Sequence, residues 1–584
     1  MMCYEIIRMI RGVIMKNPTT IKEKNELNYE GMLYAIPLIL AGILQGGYFV
    51  YSSAILTALM VVAITIYILR NKEIHLVTGM NMLVIFIVCF MYFATALWGV
   101  DSGMSLMGGI KFLPLLLYFV LVSTDDERKE RLIELIPLLG ACMTIFSIVM
   151  MQFAVFEKSV TVAGRLAGFF QYPNTYALFM LICLIIVVDR IDFKKADWLW
   201  CAYAVVSVLG IIMSGSRTVL VLTIVLVIAY FIGNKSSRKI SAAVLLVGVV
   251  LVIAMWFSGL GKDIIVRVLS TNGSTFWGRL LYMRDALKII ITHPLGLGYY
   301  GYHYMQTAYQ TGVYSVVNVH NELLQLMLDV GIIPAVLFYG MMIKACISKK
   351  LSVRNRFVLA AIILHSLFDY DFQFIVMGMV MILFLDDSST KEISISGLTK
   401  SCSILATIGI LTVAWFTGMS DFYYMQSMPE KSLKMYKGNT QARLEVLQKA
   451  DTTRKMKDIS DEIIQDNKHV ALAYSARAQV CFASGDMDGY ISNKLIAIQL
   501  APYQYDEYDD YLKTLAYAEG EYLKSGDTKS AKECVKKAEE IPKLLDAVKT
   551  KTSSLGWKIN DTPTVVLSYD NSELLQEMKD KVNE

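Results

Sequence analysis

The residues with the clearest chemical potential are arginines and one histidine set in apolar surroundings. Arg165 lies in GRLAGFFQYPN and Arg217 in SGSRTVL. Arg279 and Arg284 lie in GRLLYMRDALKIIITHPLGLG, and His320 in SVVNVHNELLQLMLDVGIIP. Charge at a membrane edge costs several kcal/mol unless it is paired or wet, so a function is weighed for it first. Guanidinium forks hold phosphate oxygens bidentately and stay charged. An imidazole can take or give a proton. The Gly-rich HPLGLGYYGYH lets backbone approach a ligand closely, although Gly-rich turns are common. The set suits a phosphorylated, membrane-anchored substrate entering from the lipid. Arg284 falls five residues past Arg279, off its helical face, and reads equally as a surface charge. Lys111, in GGIKFLPLL, either lines a substrate cavity or snorkels to the interface. His293 and His303 read as loop-structural. His365 and Asp369, one turn apart, read as a simple pair, and Asp369 with Asp371 is a poor metal site, so no metal is expected.

These residues need a scaffold, and composition supplies its class. The 584 residues are 55% hydrophobic and 18% charged, with mean hydropathy +0.48. Such a composition points to a polytopic membrane protein. The net charge of +4 and the lack of a basic tract argue against nucleic-acid binding. The expected fold is all-α. Thirteen membrane helices are predicted at about 31–51, 53–70, 77–98, 104–122, 132–152, 174–189, 197–214, 216–232, 239–258, 331–347, 356–370, 373–386 and 401–418. Residues 1–30 read as a cytoplasmic N-terminal tail without a cleavable signal. Lys and Arg then collect in alternate loops: RNKEIH, DDERKER, DRIDFKK, GNKSSRK, KKLSVRNR and the stretch with Lys391 and Lys400. The short loops VDSG and DYDF carry none. This pattern places 153–173, 259–330 and 420–584 outside, with the N terminus inside.

Residues 420–584 read as a small extracytoplasmic α-helical domain. Residues 469–502 have a Gly-Asp turn and a closing Pro, and a second unit turns at KSGD and closes with KKAEEIP. The interval from turn glycine to closing proline is nearly the same in both, Gly485 to Pro502 and Gly526 to Pro542. This is similar to tetratricopeptide-like pairs, with a repeat of about 40 residues rather than about 34; a generic bundle is the alternative. Either suits a docking surface for a protein partner. The scattered cysteines show neither zinc spacing nor a disulfide framework.

Four stretches in order, GRLAGFFQYPN, SGSRT, GR…DALKII..HPLGLGYYGYH and HNELLQLMLDVG, resemble the O-antigen ligase and O-antigen polymerase superfamily over about residues 30–390. The departures are Pro334, where a small or β-branched residue is usual, and one helix beyond the usual twelve or so. The resemblance implies a metal-independent, cofactor-free glycosyltransferase of the GT-C type of membrane fold. Its donor would be a glycan on undecaprenyl diphosphate in the outer leaflet, and its acceptor a hydroxyl of a glycan, lipid or protein. Arg217 and Arg279 would hold the diphosphate. Arg165, with Asn174 and Asn321 from the matched elements, would assist. His320, at the positive end of a helix dipole, would be a neutral general base. The alternative is that His320 caps the helix. Ligase and polymerase share these motifs. A lipid-linked glycan flippase is the competing class, but no inverted repeat or midplane polar cluster is evident.

Overall fold

The computed structural model describes residues 34–124, 126–192, 197–233, 238–258, 262–269, 273–386 and 390–583. The predicted tail 1–30 lies outside them. The chain divides into two compact units. Among the described residues, the first lies within 34–94, 106–269 and 320–426, and the second within 95–105, 273–319 and 427–583.

Within these ranges the described structure is overwhelmingly helical. Among the described residues, seven helices are long and apolar enough to cross a membrane: Val50–Arg70, Met80–Leu97, Ser102–Val122, Asp126–Met150, Pro173–Arg190, Arg238–Phe257 and Gly397–Met425. Shorter apolar helices run Tyr34–Ile43, Trp198–Ser214, Arg217–Tyr230 and Ile332–Ile347. The starts follow local chemistry. Pro173 opens its helix at a position where no amide is needed. Ser352 and Ser396 accept from the amides of Asn355 and Thr399.

Two expectations change. The span predicted at 31–51 is broken. Gly46 and Gly47 take φ of 69° and 73°, which glycine adopts readily, and the next helix starts only at Val50. The span predicted at 373–386 is a nine-residue helix, Ile375–Leu383, buried on every side. At about 1.5 Å per residue it covers about 14 Å, half of a bilayer core. The turn before it, Asp369–Phe374, therefore lies within the fold and not on its rim.

In the first unit, Glu73–Val77 pairs antiparallel with Thr390–Ser394. Glu130 accepts from Arg354 Nη2 at 2.6 Å and from Arg190 Nη2 at 3.1 Å. In the second unit, the amide of Val100 donates to Leu297 O at 2.8 Å, and Thr440 Oγ1 donates to Asp101 Oδ2 at 2.6 Å. The Ser553 amide donates to Thr311 O at 2.9 Å.

Residues 420–584 contain two successive helix pairs, Ala471–Ala483 with Met487–Leu500 and Tyr505–Lys524 with Thr528–Ala538. Each turns on Ser-Gly-Asp. Gly485 and Gly526 both have φ of 78°, a left-handed value suited to a helix end. Asp486 and Asp527 cap the next helix through the amides of Gly489 and Ser530. Tyr490, Tyr508, Tyr511, Leu512 and Leu515 form the core between them.

Candidate active site

A ring of polar side chains in the first unit converges on the Asp369 carboxylate, which is buried. His320 Nδ1 lies 3.2 Å from Asp369 Oδ1. Tyr172 Oη donates to the same oxygen at 2.6 Å, and Asn174 Nδ2 donates to Oδ2 at 2.7 Å. Arg165 Nη2 donates to Asn174 Oδ1 at 2.6 Å, while Arg165 Nε donates to Ser214 O at 2.7 Å. The Tyr370 ring stacks on Tyr172 at 4.8 Å and lies 5.1 Å from the His320 ring.

The local backbone explains the placement. Gly168 (φ 58°) and Gln171 (φ 55°) bracket a short 3-10 turn. The left-handed Gln171 reverses the chain, delivering Tyr172 and then Asn174 in the first turn of Pro173–Arg190. On the opposite wall, Asn321 accepts from the Leu324 amide at 3.0 Å and donates to Leu367 O at 2.8 Å. Asn321 is thus the helix cap, and His320, one residue before it, is not.

One ring nitrogen faces the carboxylate. A carboxylate at Nδ1 favours the proton there and puts the ring's lone pair on Nε2. The His320 side chain is 20% exposed against 1% for Asp369, so a reactant can reach the ring while its partner stays dry. The electrostatic basis differs from the sequence expectation. A buried carboxylate beside the ring, more than a helix dipole, orients the imidazole.

The other candidates are placed as follows. Arg217 is exposed and opens its helix just beyond Ser214 and Gly215, the turn that Arg165 grips. Lys111 does not snorkel. It is buried at 1% exposure, donates to Gln373 Oε1 at 3.1 Å and lies 4.7 Å from the centroid of the Tyr48 ring. Arg279 (half-buried) and Arg284 (exposed) belong to the second unit, on the helix Ser274–Thr292. The expected His365–Asp369 pair is exchanged: His365 Nδ1 lies 2.6 Å from Asp371 Oδ2, and Asp369 serves His320. Asp369 and Asp371 are thereby committed to different imidazoles. Tyr172 and Ser214 carry no sequence signal of their own beyond proximity to Arg165 and Arg217.

A sequence model of the family described as O-antigen ligase matches residues 202–339. The match covers the Arg217 helix, the Arg279 helix and the His320 segment. It supports the O-antigen ligase superfamily and a glycosyl-transferring membrane enzyme of polysaccharide biosynthesis. No curated protein and no solved structure matches the chain.

Proposed function

We infer that the chain transfers a glycan from undecaprenyl diphosphate to a hydroxyl-bearing acceptor at the outer face of the cytoplasmic membrane. The observation that carries this is the His320–Asp369 pair, one ring nitrogen on a buried carboxylate and the ring itself reachable, inside a chain that matches the ligase family. His320 Nε2 takes the acceptor hydroxyl proton as the oxygen attacks the anomeric carbon. The bond from that carbon to the diphosphate oxygen breaks, and undecaprenyl diphosphate leaves with the electron pair. Asp369 steadies the imidazolium so formed. Arg217 neutralises the diphosphate, and Arg165 holds Asn174 and the turn before Arg217. The leaving group already departs readily, so positioning and charge neutralisation are the main demands, and metal-independent chemistry suffices.

In this reading about thirteen segments enter the membrane, some of them short of a full span. The N terminus is cytoplasmic, and residues 420–584 form an extracytoplasmic tetratricopeptide-like surface for an acceptor or assembly partner. Ligase and polymerase are separable by their intermediates. In the native host, His320→Ala and Arg217→Ala are expected to reach normal protein levels while undecaprenyl-linked glycan accumulates on gels. Single repeats identify a polymerase, and long unattached chains identify a ligase. Transfer in isolated membranes is expected to be unaffected by EDTA. Unchanged glycans in both variants would refute the site.

A further inference from the structure

Glu322 and Gln373 are buried at 1% exposure in the first unit, and neither has a part in the chemistry just described. Their bonds join the two stretches of chain that carry the reacting pair. Glu322 follows His320 by two positions. Its Oε2 accepts from the Phe372 amide at 3.0 Å, and its Oε1 accepts from Gln373 Nε2 at 3.3 Å. Gln373 Oε1 in turn accepts from Lys111 Nζ at 3.1 Å. Phe372 and Gln373 close the turn that begins at Asp369. Thr175 and His365 hold Asp371 from the far side.

We propose that Lys111, Gln373 and Glu322 form a buried brace that sets the distance between Asp369 and His320, making Glu322 and Gln373 positioning residues for transfer. The inference rests on the reading of His320 as the base. Three features argue for a dedicated device over generic packing. A carboxylate, an amide and an ammonium are costly to bury where apolar residues would serve. Each bond runs between separate segments, so none is local helix capping. The brace also spans the two stretches that contribute the pair, residues 320–322 and 369–373. An error of about 1 Å in such a pair costs on the order of 100-fold in rate.

The test is a double-mutant cycle on the full-length protein in native membranes, with lipid-linked glycan as donor. Glu322→Gln keeps the shape but replaces one acceptor oxygen with a donor group. Gln373→Met keeps the volume and removes both of its brace bonds. Each alone is expected to lower turnover on the order of 10- to 100-fold with the KM for donor unchanged and normal protein levels. Added to Asp369→Asn, neither is expected to lower the residual rate more than about 2-fold, because the carboxylate whose placement they secure is already gone. Full additivity in that background would overturn the brace, as would unchanged turnover, a raised KM with unchanged kcat, or loss of both proteins from the membrane. The parent reading is tested separately by His320→Ala: wild-type transfer there would overturn both, whereas loss of transfer there with additive Glu322→Gln would overturn the brace alone.

Discussion

Asp369 carries more of the candidate site than any of the residues singled out for their charge. Its two oxygens receive His320, Tyr172 and Asn174 together, so its substitutions separate charge from geometry. Asp369→Asn keeps the shape but removes the charge beside the His320 ring and sets its amide against that of Asn174. Turnover is expected to fall at least about 100-fold, by analogy with loss of the orienting carboxylate in a hydrolase triad. Tyr172→Phe removes one of several donors to a buried acceptor. Its cost is expected to be about 1–3 kcal/mol, roughly 5- to 150-fold in rate if it falls wholly on the transition state. Single-turnover glycan transfer in membranes measures both, and a Tyr172→Phe loss well beyond about 150-fold would mean the tyrosine itself contacts the reactants. Arg165, Asn174 and His320 are legible in the sequence because arginine, histidine and a Pro-Asn helix start are conspicuous in apolar surroundings. Asp369 is visible as a charge in DYDF, but its partner is not. One-turn spacing points to His365, whereas the break at Leu367 turns Asp369 away from that helix and toward His320.

At the scale of elements, apolar runs mark helices well. Ser102–Val122, Pro173–Arg190, Trp198–Ser214 and Ile332–Ile347 begin and end within a few positions of their predicted bounds. Interruptions are less visible: Gly46-Gly47 sits inside a run whose hydropathy alone is continuous, and DYDF marks a break without showing that the helix after it has only nine residues. The second unit shows what a half-buried base does to an element. His303, on the helix Gly301–Tyr309, faces the Val316 carbonyl at 3.4 Å and packs against Tyr300 and Tyr304. Burial holds its imidazole below the ordinary value, against the opposing pull of that carbonyl. A base depressed in this way binds fewer protons folded than unfolded. Its contribution is whole above about pH 6.5 and is lost as pH falls through the lowered value. Thermal melts of the purified protein at pH 7.5 and 5.5 are therefore expected to show a drop in Tm that shrinks in His303→Gln. An equal drop in the variant would assign the acid sensitivity to other groups.

For the whole molecule, loop charge alternation makes a statement about sides that the contacts can test without any reference to helix count. The strand Glu73–Val77 pairs with Thr390–Ser394, and Glu130 gathers Arg190 and Arg354. These contacts join five of the loops that their Lys and Arg assign to one side. In the second unit, the VDSG loop, the 272–319 segment and the C-terminal domain bond among themselves, and the alternation assigns all three to the opposite side. Such grouping agrees with the loop sets that the alternation expects, and the positive-inside rule supplies the expectation of which set is cytoplasmic. In a cysteine-free background, Ser525→Cys, in the turn of the second helix pair, is expected to react with a membrane-impermeant maleimide in intact cells or spheroplasts. Lys391→Cys, on the paired strand, is expected to react only after permeabilisation. The reverse labelling would invert the orientation and put His320 on the cytoplasmic side, away from a donor in the outer leaflet. Labelling of both in intact cells would break the grouping itself, since it would require one of the loop sets to be divided across the membrane.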